Sequence, residues 1–209
     1  MRYFFRIEYD GTAYGGWQSQ VNTVTIQDTL ERAASMILRT PCAVVGAGRT
    51  DAGVHAARQG AHLDCEEQLN TAAVEKSLNA VLPPDIAVFD LQPVAADFHA
   101  RFSAVRRRYT YTMTQRKSPL RRHRAWMVPF TVDWDTVRTE CAALKGEHDF
   151  TTFCASGSGA AHNRCTVYEA DCARRAQRWV FTIEANRFVY KMVRSLVGTL
   201  VDRGRGESD

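Results

Sequence analysis

Hydrophobic and polar residues alternate along this 209-residue chain with two different periods. Aromatic and β-branched residues alternate with charged ones from Tyr3 to Tyr9, which is typical of a strand. Similar runs predict further strands over residues 42–47, 59–65, 86–94, 105–113, 125–128, 164–173 and 178–184. Apolar residues recur three and four apart elsewhere, which predicts helices over residues 26–38, 71–82, 133–145 and 188–201. The element order predicts an α+β fold with mainly antiparallel sheet.

Short polar signals mark the ends of several predicted helices. The run from Thr25 to Asp28 is typical of a capping box before the first helix, and Pro83 and Gly146 end the second and third. The second helix is expected to turn four residues inward: Val74, Leu78, Val81 and Leu82. The last helix is apolar on most sides, so Arg194 within it should be buried and should need a partner, which a carboxylate would suit.

The remaining segments are polar or rich in glycine and are expected to be irregular. They comprise a turn and loop at residues 10–18, a basic loop at 115–124, a compact turn at 147–153, a small polar loop at 156–163 and a polar tail at 204–209. The sequence itself contains no visible internal repeat. A boundary between two halves is expected near residues 97–105.

Composition excludes several classes of protein. Hydrophobic residues make up 45% and charged residues 24%, as in ordinary globular proteins. The absence of an apolar run of membrane-spanning length and of an apolar N-terminal segment predicts a cytoplasmic protein. The six cysteines are dispersed without a Cys-x-x-Cys pair, which argues against a zinc site and a disulfide framework. Gly46-Ala47-Gly48 begins like a dinucleotide fingerprint but Asp51 replaces its third glycine, so no cofactor is indicated.

Basic residues are concentrated in one part of the chain. The net charge is +4, yet residues 101–124 hold nine of the 27 basic residues and no acid. Such a cluster is the pattern expected of a surface that contacts a phosphate backbone. The alternative is an arginine-rich strand and loop that are simply solvated, and from charge alone the nucleic-acid interpretation is favoured.

One carboxylate lies in a glycine-rich connection between two predicted strands. Gly46, Gly48 and Gly53 surround Asp51, and Arg49 and His55 flank it. Glycines in such a turn allow unusual backbone angles and a close approach of a ligand, and loops on rigid scaffolds often carry reactive groups. The alternative is an aspartate that only hydrogen-bonds its own turn.

The run from Gly48 to Ala56 resembles the active-site signature of the tRNA pseudouridine synthase A family. Further stretches resemble the same family: 4–18, with an Asp-Gly turn before Gly-Trp-Gln, and 97–104, 107–111, 147–153 and 188–198. The resemblance extends from residue 3 to about residue 201. Members of the family usually continue past the last helix with further helix and strand, so the C-terminus is expected to be short for the family.

The resemblance implies a fold and an activity. The fold consists of two similar halves, residues 1–104 and 105–209, whose mainly antiparallel sheets merge into one extended sheet, with helices outside and the active cleft between the halves. The activity is isomerisation of uridine to pseudouridine at tRNA positions 38–40, on the 3′ side of the anticodon stem-loop. The resemblance also implies a homodimer that binds tRNA and needs neither a cofactor nor a metal.

The resemblance assigns three residues to the chemistry. Asp51 is the catalytic carboxylate, and attack on the sugar, attack on the base and assistance to glycal formation all remain open for it. Arg194 would pair with Asp51 and keep it ionised, the alternative being a surface charge. Tyr109 would stack on the uracil and could help to remove the C5 proton, the alternative being packing in the core.

RNA contacts are expected from a wider set of residues that share a basic side chain. These are Arg49, His55, Arg58, Arg101, Arg107, Arg121, Arg122 and Arg124. Two other classes of protein stay open: an RNA-binding or RNA-chaperone module without catalysis, and a dimeric scaffold. The set of Asp51, Tyr109 and Arg194 argues against the binding module, because binding alone does not require an acid in a cleft.

Overall fold

The computed structural model describes residues 1–157 and 162–207, whose strands form two mainly antiparallel sheets. The chain divides into two units, Met1–Ala104 and Val105–Asp209, with one sheet in each. The α+β class predicted from the sequence is confirmed. The polar loop predicted at 156–163 includes residues 158–161, and the polar tail includes 208–209; both stretches lie outside the described residues.

The first unit has a four-stranded sheet. Its elements are β1 (Arg2–Tyr9), α1 (Ile26–Leu38), β2 (Val44–Gly46), β3 (Ala56–Asp64), α2 (Thr71–Val81) and β4 (Ile86–Val94). The strands pair antiparallel in the order β2-β3-β1-β4. Alternate residues of β1 are buried, as its pattern predicts, and Phe5 and Ile7 join Ile26 and Leu30 of α1 in one core.

Local signals placed the helices of this unit well. Thr25 accepts a hydrogen bond from the Asp28 backbone N–H, and its hydroxyl donates to the Asp28 carboxylate at 2.5 Å, so the predicted N-terminal cap is present. The expectation that Val81 faces inward is wrong, because its side chain is 42% exposed. The helix ends at Val81, and Leu82, in extended backbone, takes the buried position instead.

The second unit has a five-stranded sheet. Its elements are β5 (Arg107–Thr114), β6 (Trp126–Met127), α3 (Trp134–Ala143), β7 (Gly146–Asp149), β8 (Arg164–Arg175), β9 (Arg178–Ala185) and α4 (Met192–Arg205). The sheet order is β6-β5-β9-β8-β7, and only the β5–β6 pair is parallel among the described strands.

Two elements of this unit differ from the sequence prediction. The compact turn expected at 147–153 contains β7, which pairs with β8, followed by a short 3-10 helix at Thr151–Phe153. All four residues of β7 are exposed, so no hydrophobic alternation marks it. The last helix begins at Met192 rather than at residue 188, because Lys191 has a left-handed backbone with φ of 59° that separates residues 188–190 from the helix.

The two units share a core topology that the sequence does not display. In the first unit, β1, α1, β2, β3 and α2 follow one another, and the paired order is β2-β3-β1. In the second unit, β5, α3, β8, β9 and α4 repeat this succession, apart from the inserted β6 and β7, and the paired order is β8-β9-β5. The element order therefore reveals two similar halves.

Candidate active site

Asp51 lies on a turn between β2 and β3 that is held at several points by backbone hydrogen bonds. The Ala47 N–H donates to the Gly60 carbonyl at 2.8 Å, and the Val54 N–H donates to the Asp51 carbonyl at 3.1 Å. The 14–17 segment adds two more bonds: the Trp17 N–H donates to the Thr50 carbonyl at 3.0 Å, and the Gly53 N–H donates to the Tyr14 carbonyl at 3.3 Å. The half-buried Asp51 therefore has a well-fixed backbone.

Polar side chains from the flanking strands hold the same turn. The Tyr9 hydroxyl, at the end of β1, lies 2.7 Å from the Thr50 hydroxyl and donates to Gln59 Oε1 at 3.2 Å. The Gln59 amide in turn donates to the Gly48 carbonyl at 3.1 Å. The chain of contacts reaches the residue directly before Asp51. These side-chain contacts connect the turn to the sheet. The backbone hydrogen bonds described above connect the same turn to the 14–17 segment.

Two glycines outside the signature allow this close packing. Gly16 has φ of +101°, and a Cβ atom there would lie 2.6 Å from the Thr50 carbonyl oxygen. A Cβ atom on Gly11 would lie 2.0 Å from the Val54 carbonyl oxygen. The Asp-Gly turn and the Gly-Gly-Trp segment, which are far from Asp51 in sequence, are thus needed for its position.

His55 connects the end of the signature to the turn after β1. Its Nδ1 accepts a hydrogen bond from the Gly11 N–H at 3.2 Å and lies 3.0 Å from the Asp10 carboxylate. Asp10 also accepts from the Thr12 N–H and hydroxyl, which caps the 3-10 helix at Gly11–Ala13. The Nδ1 atom of His55 therefore serves the structure of this unit.

The arginines of the first unit that were predicted to contact RNA are all exposed. Arg49 lies on the turn itself, and Arg58 lies 3.9 Å from the Asp90 carboxylate, to which Arg6 donates at 2.7 Å. The Arg101 guanidinium lies over the Phe102 ring, 5.7 Å from its centroid.

The second unit carries the predicted tyrosine close to a fixed connection. Tyr109 is half-buried on β5, opposite Ile183, and its ring meets Phe188 edge to face with centroids 4.8 Å apart. Arg107 donates to the Asn186 carbonyl at 2.8 Å, and Asn186 Oδ1 accepts from the Thr166 N–H at 2.9 Å. The connection between β9 and α4 is thereby attached to the beginning of β5.

Arg194 is exposed, so the prediction that it is buried is wrong. The buried face of α4 carries Met192, Leu196, Val197, Leu200, Val201 and Gly204. Arg194 follows Met192 by two residues, about 200° around a helix, and thus points away from that face. It lies in the first turn of α4, where a cation is unfavourable unless an anion is near.

The basic cluster of residues 101–124 is divided in two by its contacts. Arg106 and Arg108 donate to Glu184 at 3.1 and 3.0 Å, and Arg108 also reaches Glu169 at 2.7 Å. The Arg106 hydrogen bond, with help from Arg108, holds the pKa of Glu184 below its ordinary value. The loop that follows β5 is different: Arg121 is half-buried, Arg122 and Arg124 are exposed, and no contact to an acid is seen for Arg121 or Arg122 within residues 1–157 and 162–207.

The described part of the chain also contains possible metal ligands and cysteine thiols. No group of three or more potential ligands is placed to hold a metal ion among these residues, and no helix there is long and apolar enough to cross a membrane. All six thiols are unbridged, and burial raises the pKa of Cys141 and Cys172 to about 12, which makes them poor nucleophiles at neutral pH.

Comparison with known proteins shows the family of the chain. A family model described as tRNA pseudouridine synthase matches residues 6–103 and 141–209. The chain belongs to the tRNA pseudouridine synthase family.

Curated relatives match the chain over nearly its whole length, including the stretch between the two matched segments. A tRNA pseudouridine synthase A from Parabacteroides distasonis is 41% identical over 206 residues, which is 98% of this chain and 82% of the relative. Proteins of the same name from Bacteroides thetaiotaomicron and Maricaulis maris are each 42% identical over 209 residues, 99% of this chain and 78% and 84% of those relatives.

The sequence did not point to every residue that shapes the site. Tyr9 and Gln59 were missed as supports of the turn, and so was Glu184 as the partner of two arginines. The signals that could have found them are weak. A strand that ends in tyrosine directly before the Asp-Gly turn, and a polar residue within β3, are both common.

Proposed function

We propose that this protein isomerises uridine to pseudouridine in the anticodon stem-loop of tRNA. Membership of the family and the names of the relatives support the reaction and the RNA class. The observation that carries the proposal is the Asp51 turn, held on one side by Trp17 and Gly53 backbone bonds and on the other by Tyr9 and Gln59. A carboxylate fixed in this way meets the reacting atoms without reorganising first.

The reaction breaks the bond between N1 and C1′ of uridine and forms one between C5 and C1′. The C5 proton leaves and N1 gains a proton, so atoms balance without an oxidant or a second substrate. Asp51 is the catalytic carboxylate in this proposal. The target base lies in a folded RNA, so it must leave its stack to reach Asp51.

Tyr109 and Arg194 complete the proposed catalytic group from the second half of the chain, residues 105–209, while residues 1–104 supply Asp51. Tyr109 is only half-buried, and in this proposal its ring stacks on the uracil. The exposed Arg194 guanidinium would pair with the carboxylate and favour its ionised form. Such a pair also supplies the negative charge that the first turn of α4 prefers.

RNA binding in this proposal falls to two groups of basic residues. Arg49, His55, Arg58 and Arg101 belong to the half that carries Asp51 and would hold the phosphates next to the flipped nucleotide. Arg107 lies beside Tyr109, and Arg121, Arg122 and Arg124 would hold the backbone of a stem by charge and shape, as A-form RNA is generally recognised. We further propose a cytoplasmic homodimer, since a symmetric pair would widen the basic surface offered to one tRNA.

The test is incubation with unmodified tRNA followed by pseudouridine mapping at each position. Wild type should modify uridines on the 3′ side of the anticodon stem-loop. Asp51→Ala and Asp51→Asn should form no pseudouridine while keeping their tRNA affinity within about twofold, since a single substitution on a turn outside the hydrophobic core rarely unfolds a protein. Asp135→Asn, at a highly exposed carboxylate on α3, is the control and should remain active.

Several outcomes would reject parts of this proposal. Substantial turnover by Asp51→Ala would remove Asp51 as the catalytic group. Modification only in another arm of tRNA or in ribosomal RNA would reject the substrate. Tight tRNA binding without turnover by wild type would favour an RNA-binding module, and a monomeric mass with full activity would reject the dimer.

A further inference from the structure

The aromatic residue Phe102 is exposed to solvent. Its side chain is 77% exposed, and it is the one phenylalanine or tryptophan among the exposed large hydrophobic residues of the described chain. A buried phenyl group stabilises a fold by about 2 kcal/mol relative to an exposed one. Its position outside the core therefore calls for a reason other than stability.

Hydrogen bonds fix the backbone of the turn that carries the ring. The Ser103 N–H donates to the His99 carbonyl at 2.8 Å, and the His99 N–H donates to the Ser103 hydroxyl at 3.0 Å. The His99 imidazole accepts from the N–H groups of Arg101 and Phe102 at 3.2 and 3.4 Å. Further back, Arg2 of β1 donates to the Phe98 carbonyl at 2.7 Å. The turn is thus attached to β1 at Phe98 and closed between His99 and Ser103.

A series of rings connects Phe102 to the sheet. The Phe102 and His99 centroids are 4.4 Å apart with planes 30° apart, and His99 meets the buried His62 of β3 at 5.0 Å. His62 is 3% exposed, and its Nδ1 accepts from the Ala100 N–H at 3.1 Å. Burial lowers the pKa of His62, in keeping with a neutral imidazole as acceptor. Phe102 is therefore the outer ring of a supported stack.

A guanidinium accompanies the exposed ring. Arg101 lies 5.7 Å from the Phe102 centroid, close enough for a cation–π interaction. An aromatic face next to an arginine is the combination that recognises an unstacked RNA base, since the ring stacks and the cation attracts the phosphate. We propose that Phe102 is a stacking platform for an unpaired base of the substrate RNA, with Arg101 beside it. This inference rests on the proposed function for the identity of the RNA.

The experiment measures tRNA affinity for Phe102→Ala, Phe102→Leu, Phe102→Tyr and Phe102→Trp. If one base stacks on the ring, removing the ring should lower the affinity for tRNA by about 5- to 150-fold. This corresponds to ~1–3 kcal/mol of binding free energy at ~1.4 kcal/mol per tenfold. Alanine and leucine should both show this loss, and tyrosine and tryptophan should bind within about threefold of wild type. Leucine separates stacking from simple apolar contact.

Val21→Ala is the matched control, because Val21 is a fully exposed apolar residue of the same unit. It should bind as wild type does. The dependence of affinity on salt should keep its slope in Phe102→Ala, since no charge is removed. The fluorescence of Phe102→Trp should in addition be quenched on tRNA binding, relative to the four native tryptophans in wild type.

Two affinity results would overturn the proposal: Phe102→Ala that binds tRNA as tightly as Val21→Ala, or Phe102→Leu that binds as tightly as the aromatic variants. If Phe102→Ala changed the oligomeric mass without changing the affinity for tRNA, the proposal would also be overturned. The ring would then belong to a contact between protein chains. Turnover is measured on the same samples. Failure of wild type to form pseudouridine rejects the proposed function, whereas the ranking of affinities decides the stacking platform separately.

Discussion

The Tyr9 hydroxyl lies 2.7 Å from the Thr50 hydroxyl, so the end of β1 is connected directly to the residue before Asp51. The two residues are 41 positions apart along the chain. Gln59 extends this contact to the Gly48 carbonyl, so one tyrosine supports the turn through two branches. The position of the carboxylate therefore depends on the strand pairing of the first unit.

Replacing Tyr9 with phenylalanine should slow the reaction more than it weakens binding. Tyr9→Phe removes the hydroxyl between Thr50 and Gln59 and leaves the ring in the core. We expect kcat to fall about 10- to 100-fold with KM within about twofold, because small displacements of a reacting group are costly. Steady-state kinetics on unmodified tRNA measure both.

Tyr3→Phe is the control for that prediction. Tyr3 lies on the same strand, is buried, and accepts a hydrogen bond from the Leu69 N–H at 2.8 Å, away from Asp51. It should lose about 1 kcal/mol of stability and keep its kcat. Equal kcat losses in the two variants would refute a positioning role for Tyr9.

Gly16→Ala should displace the Asp51 turn. The new Cβ atom would approach the Thr50 carbonyl oxygen to 2.6 Å, and φ of +101° is strained for alanine. We expect a loss of stability of about 1–3 kcal/mol from the backbone alone, together with a fall in kcat of at least about tenfold. Thermal unfolding and single-turnover rates measure the two effects.

Gly206→Ala separates strain from collision. Gly206 follows α4 with φ of +73°, and a Cβ atom there would meet nothing within 4 Å. Gly206→Ala should lose about as much stability as backbone strain costs Gly16→Ala, and it should remain active. If Gly16→Ala were equally active, the contact between the 14–17 segment and the turn would be irrelevant to catalysis.

The sequence could predict the elements that depend on residues close together in the chain. It could not predict the features that depend on pairing between distant segments. Helix α1 and strand β4 match their predicted bounds because cap residues and apolar spacing are local. Strand β7 was missed because only its backbone pairing with β8 makes it a strand. Arg194 was expected to be buried because its neighbours are apolar, whereas it lies about 200° around α4 from the buried Met192 and so points away from the core.

The same reasoning applies to the site. Asp51 could be proposed from the sequence because nine successive residues resemble the family signature. The supports from Tyr9 and Gln59 could not, since each needs strands β1 and β3 to be paired in register. The pairing of Arg106 and Arg108 with Glu184 needs β5 beside β9, so counting charges along the chain could not show that these two arginines have a carboxylate partner.

Lowering the pH should reduce the stability of the first unit by protonating Asp64. The hydrogen bond from Arg2 holds the pKa of Asp64 below its ordinary value of 3.8. A carboxylate with a lowered pKa in the folded state adds stability above its unfolded pKa, and that stability is lost as pH falls through the folded pKa. Urea unfolding should therefore show Asp64→Asn less stable than wild type from about pH 7 to pH 5, with the difference shrinking below about pH 4.

Glu66→Gln is the control for the acid effect, since Glu66 is exposed and makes no ion pair among the described residues. Its stability should follow wild type at every pH. A difference between Asp64→Asn and wild type that does not shrink as the pH falls below about 4 would contradict the assignment, because the unfolded state gains a proton there before the folded state does.

The basic loop after β5 should account for most of the salt dependence of tRNA binding. Replacing Arg121, Arg122 and Arg124 together by alanine removes three positive charges from residues 115–124. Each phosphate contact adds roughly 0.7–0.9 to the slope of log affinity against log salt, so the slope should fall by about 2–3. Arg108→Ala is the control, since its guanidinium is already engaged by Glu169 and Glu184 and should change the slope by much less than one contact. A triple variant with the wild-type slope would show that this loop does not contact the RNA backbone, and a larger effect of Arg108→Ala would move the contact surface to β5.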